Sequence, residues 1–368
     1  MRIKDLATII QRLAPSDLAF DWDNPGLQVG SLNQEISRIG LALDATDKTL
    51  DAAIQAGCDL LFTHHPLIFK AIKKIDPDSY PGTIIARAIS AGLAIFSAHT
   101  NWDSASRGVA QALADRLGLE EREPLEPISR DFLKLVVFVP AGYENQIRAA
   151  LFETGCGVIG DYDHCWFGAP GEGGYRVPPA GRPFIGQPGQ ETRTRENRLE
   201  VILPAGQADR AVAAVRENHP YEEPAFEFHA VKVPGRDEGL GLLGLWPEER
   251  DLLDELAKAG FGAYKWAGLE PKRVRKVALL PGSGGDYIYL AKARGAEALI
   301  TGDAKYNQAL DSESLGLCLV DLGHYETEWP GVEQLASLLS EELNRLEPEV
   351  ECLLLNQTGP WHYTPIEA

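Results

Sequence analysis

The apolar positions of this chain fall into short blocks, and the spacing of the blocks changes along its length. Ile3, Leu6, Ile9, Ile10 and Leu13 recur at helical spacing, which predicts a helix over residues 3–13. The runs Ile39–Leu43, Leu60–Phe62 and Leu93–Ser97 predict buried strands. Between and after them, Thr49–Ala56, Ile84–Ala91 and Val109–Leu117 read as helices, stopped by Gly57, Gly92 and Gly118. Strands alternating with helices predict an α/β layer with a largely parallel sheet.

The texture changes near residue 120. Glu120–Glu126 is acidic and proline-bearing and reads as a linker. Leu133–Pro140, Arg198–Leu203 and Phe226–Val233 then read as strands, and Glu144–Glu153 and Ala208–Glu217 as helices. The Gly- and Pro-rich stretch 168–192 reads as hairpin or loop. This order suits a small ferredoxin-like α+β module, with Pro234-Gly235-Arg236 as the exit linker. After residue 240 the first texture returns. Leu240–Leu245, Val274–Leu280, Ala298–Ile300, Cys318–Asp321 and Val350–Leu355 read as strands. Leu252–Lys258, Tyr287–Arg294 and Gly331–Arg345 read as helices. The expected organisation is an α/β core in two halves, 1–128 and 235–368, with a module inserted at 129–234.

In parallel sheets, ligands bind beyond the carboxyl ends of the strands. That rule selects Asp44–Thr46, Thr63–His65 and His99–Asp103 in the first half. In the second half the strands end at Thr301-Gly302-Asp303 and at Leu322–Glu328. His64 and His65 close a buried strand, and imidazole is the commonest protein ligand for borderline metals. His324 and Glu328, four apart, share one face if a helix starts at His324. With Asp103 they make three histidines and two carboxylates. That set suits two divalent ions in a nitrogen/oxygen site, Zn, Mn or Fe(II) rather than Ca or Mg. A carboxylate such as Asp103 can bridge two cations, and paired ions activate water for hydrolysis. Solvated loop side chains are the bland alternative.

Composition narrows the classes. The chain has 368 residues and a net charge of −19, which argues against general nucleic-acid binding. Its five cysteines stand far apart without a CxxC, so neither a disulfide framework nor a thiolate zinc cluster is expected. The first residues read as a helix and not as a signal peptide, and no apolar run approaches membrane-spanning length. A reduced, cytoplasmic protein with no membrane partner is expected.

Five motifs resemble, in order, those of the NIF-three-like dinuclear metal-centre proteins, whose members carry the name of type 2 GTP cyclohydrolase I. They are Asp23-Asn24-Pro25-Gly26-Leu27-Gln28-Val29-Gly30, Thr63-His64-His65-Pro66, Ala98-His99-Thr100-Asn101-Trp102-Asp103, Thr301-Gly302-Asp303-Ala304-Lys305-Tyr306 and Gly323-His324-Tyr325-Glu326-Thr327-Glu328. The resemblance covers nearly the whole chain. It implies two similar α/β halves facing a metal cleft, with His64, His65, Asp103, His324 and Glu328 as ligands and Asp103 as the bridge. It also implies a homohexameric toroid and, for residues 129–234, an insert similar to PII and CutA proteins, including His219-Pro220-Tyr221-Glu222-Glu223-Pro224. The implied activity is metal-dependent hydrolysis of a small molecule, GTP or a related nucleotide. The reading from another class is a non-catalytic, metal-dependent regulatory or binding protein whose insert senses a ligand. Asn307 departs from the family, which often has a histidine there, and this bears on the substrate more than on the metals.

Several residues keep two readings. His99 and Asp303 either transfer protons and orient ligands or make strand-end hydrogen bonds. Gly282-Ser283-Gly284-Gly285 either cradles phosphate or makes a tight turn. Asp23 and Asn24 read as turn-shaping residues before substrate contacts. Trp22 and Trp102 either line a pocket for a flat base or pack. His219–Pro224 reads as a structural motif before a regulatory site.

Overall fold

The computed structural model describes residues 1–160 and 162–361. The chain divides into two compact units. One is Met1–Ile128 together with the chain from Gly235 onward, and the other is Ser129–Pro234.

In the first unit the opening strands are β1 (Gly26–Val29), β2 (Arg38–Ala42), β3 (Leu60–Thr63) and β4 (Ala94–Ser97). Strand β3 pairs in parallel with both β2 and β4, and β1 lies antiparallel against β4 at the edge. Strands β3 and β4 are buried at every position, as continuous apolar runs covered on both faces should be. The helices Asp47–Gln55 and Gly82–Ala91 connect β2 to β3 and β3 to β4, and Val109–Leu117 follows β4. Gly92 and Gly118 close two of them in the left-handed conformation that glycine adopts without a Cβ penalty.

The second unit contains β6 (Phe167–Arg176), β7 (Glu191–Pro204) and most of β5 (Glu120–Pro140), with the first part of β8 (Phe226–Arg250). With the helices Glu144–Glu153 and Ala208–Asn218 the order is strand, helix, strand, strand, helix, strand. The strands lie in the order β6-β7-β5-β8. Leu135, Val137, Val139, Ile147, Leu151, Val201 and Val215 form this unit's own core. The Gly-rich stretch is one side of a long antiparallel ribbon, paired from Phe167–Glu200 to Arg176–Glu191. His219 is buried, its Nε2 on the Phe138 carbonyl and its Nδ1 accepting from the Tyr221 N–H. Both ring nitrogens are thus used in holding a strand boundary. The two stretches expected as linkers are extended strand instead, because β5 and β8 run through Glu120–Glu126 and Pro234–Arg236.

Back in the first unit, β9 (Lys265–Gly268), β10 (Val274–Leu279), β11 (Ala298–Thr301) and β12 (Cys318–Asp321) follow. Strands β10, β11 and β12 are parallel neighbours, flanked by antiparallel β8 and β9. The last strand, β13 (Glu351–Leu354), does not join them. It pairs in parallel with β2 of the first sheet. The chain crosses over along one long helix, His324–Leu346. Val332, Leu335, Leu338, Leu339 and Leu343 of that helix pack with Ile3, Leu6, Leu41 and Phe62 in the first core. Val109–Leu117 makes the reverse crossing, setting Leu113 and Leu117 among Trp246, Val277 and Ile300. Each sheet is therefore covered in part by a helix from the other half.

The long helix starts seven residues before the expected Gly331. Pro330 inside it removes one backbone hydrogen bond and costs ~3 kcal/mol in a helix interior. The apolar stripe from Val332 to Leu343 outweighs that cost. Gly331 itself is pressed against Val109, where a Cβ would come 2.7 Å from the Val109 side chain.

Candidate metal centre

Strand β3 delivers His64 and His65. Their backbone N–H groups continue the parallel pairing onto the carbonyls of Ala42 and Leu43. The Thr63 hydroxyl closes the turn by donating to the His65 carbonyl at 2.8 Å. The two rings lie 5.0 Å apart, and Pro66 follows them immediately. Strand β4 ends in Ala98 and His99, and the single helical turn Thr100–Asp103 brings Asp103 back toward the imidazoles. From the other half, the long helix begins at His324, so His324 and Glu328 stand one turn apart on one face.

Every imidazole here is aimed by an acceptor on Nδ1. His64 Nδ1 donates to the Ala98 carbonyl at 2.9 Å. His65 Nδ1 lies 2.8 Å from Asp44 Oδ1, His99 Nδ1 2.8 Å from Asp23 Oδ1, and His324 Nδ1 2.8 Å from Asp303 Oδ2. That pattern leaves each Nε2 free to face the cluster. His65 Nε2 and His324 Nε2 come within 3.3 Å of each other. Glu328 Oε2 lies 3.0 Å from the first and 3.1 Å from the second. His64 Nε2 faces Asp103 Oδ1 at 3.5 Å and Glu328 Oε1 at 3.9 Å.

Distance and hydrogen-bond geometry disagree at Glu328. Its Oε2 is within ion-pair range of two histidines, yet neither it nor His64 Nε2 has an aligned hydrogen-bond partner, and both atoms are buried. A buried polar atom without a partner costs on the order of 1–3 kcal/mol. Two buried polar atoms left without an aligned partner inside a cluster of imidazoles and carboxylates are what a bound cation would account for. Three sets of side chains can each hold a metal ion: His64, His65 and His99; His65, His324 and Glu328; and His64, Asp103 and Glu328. The carboxylate common to two of these sets is Glu328, whereas Asp103 falls in one.

The electrostatics agree. Burial and the Glu328 carboxylate push Asp103 up to about 7. Burial opposes ionisation of Glu328 too, but His65 and His324 hold it well below the usual carboxylate range. Burial lowers His64 to about 3, so it is a neutral imidazole. Burial also works against charge on His65 and His324. Glu328 overrides it in both, with Asp44 and Asp303 as second partners, so His65 rises well above its ordinary value and His324 to about 9. Protons on these two rings stand where cations would otherwise neutralise the carboxylates.

Backbone geometry protects the site. Gly282 sits at φ +72°, and a Cβ there would come 2.2 Å from Glu328 Oε1. Its N–H donates to Thr327 Oγ1 at 3.0 Å, and the Gly284 N–H to Thr301 Oγ1 at 2.7 Å. These amides are spent on the protein, so the glycine cluster is a tight turn that lets Glu328 pass. Asp303 holds the left-handed region at φ 51°, a strained position for a non-glycine residue, while it orients His324.

All seven residues singled out in the sequence, His64, His65, His99, Asp103, Asp303, His324 and Glu328, meet here. Two further residues support the cluster. Asp44 orients His65, and it is held in turn by Gln357, whose Nε2 donates to Asp44 Oδ2 at 2.8 Å and whose Oε1 accepts from the Leu43 N–H at 2.9 Å. Asp44 opens the Asp44–Thr46 loop that the strand-end rule selects, but the rule alone assigns it no role. Gln357, beyond β13, carries no sequence signal. Asp23 does more than shape a turn, since it also accepts from Thr100 N–H and Oγ1 at 3.0 and 2.6 Å. Of the two tryptophans, Trp102 is core, its Nε1 donating to the Gly331 carbonyl, and Trp22 is exposed. Asn307 is exposed in the first turn of the helix Tyr306–Leu315.

A mixed α/β fold with a partly buried histidine–carboxylate cluster able to hold metal defines the class. The chain belongs to the Duf34/NIF3 (NGG1p interacting factor 3) family, which matches residues 1–360. A GTP cyclohydrolase 1 type 2 homolog of Halalkalibacterium halodurans is 39% identical over 333 residues, covering 88% of this chain and 89% of that protein. The protein of the same name from Bacillus subtilis is 37% identical over 327 residues, covering 88% of each. The crystal structure of a Bacillus cereus protein related to NIF3 superposes with a TM-score of 0.84 at 35% identity, over 99% of both chains. Among the described residues no helix is long and apolar enough to cross a membrane.

Proposed function

We propose that this chain is a dinuclear metal-dependent hydrolase acting on a nucleotide. The observation that carries the reading is the set of converging, partnerless atoms at His64 Nε2 and Glu328 Oε2. His64, Asp103 and Glu328 would hold one ion, and His65, His324 and Glu328 the other, so the adjacent histidines serve different ions. The donor set favours Zn, Mn or Fe(II). Two such ions supply Lewis acidity and an activated water. The protein's residues do the rest. Asp44 and Asp303 fix the orientation of His65 and His324. His99, held by Asp23 and facing the same cleft, is placed to accept or return a proton at Nε2. The relatives' name points to GTP as the substrate class. The resemblance set out above adds two similar halves facing the cleft, a hexameric toroid and a ferredoxin-like, PII/CutA-like insert.

A second reading rests on the inserted unit, which has a core of its own while the metal cluster lies wholly in the other unit. In that reading the insert senses a ligand and the metals serve regulation. Assays of the metal-replete protein against GTP, other nucleotides and phosphodiesters separate the two. Turnover that disappears in Asp103→Ala supports the hydrolase, and turnover equal in that variant excludes it.

A further inference from the structure

Two large aromatic side chains stand in water beside the histidine cluster. Trp22 is 58% exposed and Phe69 45% exposed. Their ring centroids are 5.6 Å apart, and Phe20 stacks behind Trp22 at 5.5 Å and 22°. Each ring meets His99 nearly edge-on, with centroids 6.1 Å apart in both cases. His99 in turn lies 5.3 Å from His64 and 5.4 Å from His65. A continuous series of ring contacts therefore leads from His64 and His65 of the candidate metal centre through His99 to the exposed Trp22 and Phe69.

The segments that carry this run are fastened to one another. Asn24 Nδ2 donates to the Ile68 carbonyl at 2.7 Å, and the Ile68 N–H donates to Gln28 Oε1 at 3.1 Å. Gln28 Nε2 donates back to the Asn24 carbonyl at 2.7 Å. Asp23, the neighbour of Trp22, holds His99 and Thr100. Exposed side chains on loops ordinarily lose little by moving, whereas these are built into a fixed array, which lowers the entropy lost on binding.

We propose that Trp22 and Phe69 form a docking platform for a planar heteroaromatic ring of purine size, and that this platform positions the substrate of the metal centre. The inference rests on the nucleotide reading above and assigns the part of the substrate that these rings grip. The occupant follows from chemistry and from continuity. Aromatic faces bind a flat base irrespective of its edge pattern, and the run ends at the reacting centre. A phosphate would be badly served by two π faces on a chain of net charge −19. The loop that carries Phe69 also bears Lys70 and Lys73, cations suited to the charged end of such a ligand, while Lys74 is paired with Asp76 at 3.2 Å.

Calorimetric titration of the full-length chain with adenosine, guanosine and ribose 5-phosphate tests this, with the protein both chelator-treated and zinc-loaded. Both nucleosides are expected to bind, and ribose 5-phosphate at least about 10-fold more weakly. Trp22→Ala and Phe69→Ala should each weaken nucleoside binding by about 5- to 150-fold, the range that stacking on one ring carries. Trp22→Phe should restore most of the loss, and zinc content should be equal in all variants. Nucleoside affinity unchanged in both alanine variants overturns the proposal. So does a zinc-holding chain that binds no nucleoside, or one that prefers ribose 5-phosphate. A Trp22→Ala change in oligomeric state with unchanged nucleoside binding also overturns it, since the rings would then be a contact between copies. Trp22-dependent nucleoside binding by a chain that takes up no zinc upholds the platform and removes the hydrolase reading alone.

Discussion

At the scale of single residues, the cleft is a set of imidazoles each aimed from behind. Asp44 and Asp303 are the acceptors on His65 and His324, and such outer partners contribute about 10- to 100-fold in metal affinity. Asp44→Ala is therefore expected to weaken zinc binding by about that factor. Gln357→Leu, which takes away the amide holding Asp44, should weaken it in the same direction but less. Competition with a chromophoric chelator measures both, and affinity equal to wild type in Asp44→Ala would show that His65 needs no such support. Asp23 gives a pH prediction. Burial resists its ionisation, but the bonds from His99 and Thr100 prevail and lower its carboxyl to about 2. A carboxyl depressed on folding stabilises the fold above its ordinary value of about 3.8, and that contribution is lost as pH falls toward about 2. Asp23→Asn should thus flatten the stability loss of the native chain between those values, as followed by acid unfolding monitored by circular dichroism. Proton competition runs the other way at the proposed metal ligands. Because His324 is raised to about 9 in the metal-free chain, zinc uptake near neutral pH should release protons, and apparent affinity should rise as pH approaches that value. Calorimetry in buffers of different ionisation enthalpy reads the release directly.

At the scale of elements, the turn at Gly282 and the start of the long helix decide whether Glu328 can reach the cleft. Gly282→Ala puts a Cβ into the carboxylate's place and a side chain at a positive φ. It should abolish metal binding at the sets that use Glu328 while leaving the far end of the helix packed. Hydrogen exchange along Val332–Leu343 together with metal content tests that separation. These elements also show what the sequence made legible. Strands β3, β4, β11 and β12 were visible because they are continuous apolar runs, and the strand-end rule then led from them to His64, His65, His99, Asp303 and His324. The helix runs from His324 through Pro330 into the expected span from Gly331, because the packed stripe that overrides the proline is a tertiary property. Strand β9 escaped because Lys265–Gly268 has no apolar run and is ordered by its pairing with Cys318–Asp321. The contribution of Gln357 was invisible for a similar reason, since it depends on β13 returning to the first sheet.

At the scale of the whole molecule, residues far apart in sequence converge inside one unit. His65 and His324 are 259 positions apart and 3.3 Å apart at their Nε2 atoms. Ions bound there would link the first sheet to the helix that leaves the second. A ligand that binds only the folded chain stabilises it by mass action, ~2.7 kcal/mol at a hundredfold excess over its Kd. Chelation should accordingly lower the melting temperature of the full-length chain, and zinc should restore it. The dinuclear centre is tested by the metal content of full-length protein purified under metal-replete conditions, wild type beside Glu328→Gln. Two divalent ions per chain are expected in the wild type and loss of both in a folded Glu328→Gln, because that carboxylate is shared by the two sets. Wild-type protein without bound metal, or a variant that retains both ions, would contradict that expectation.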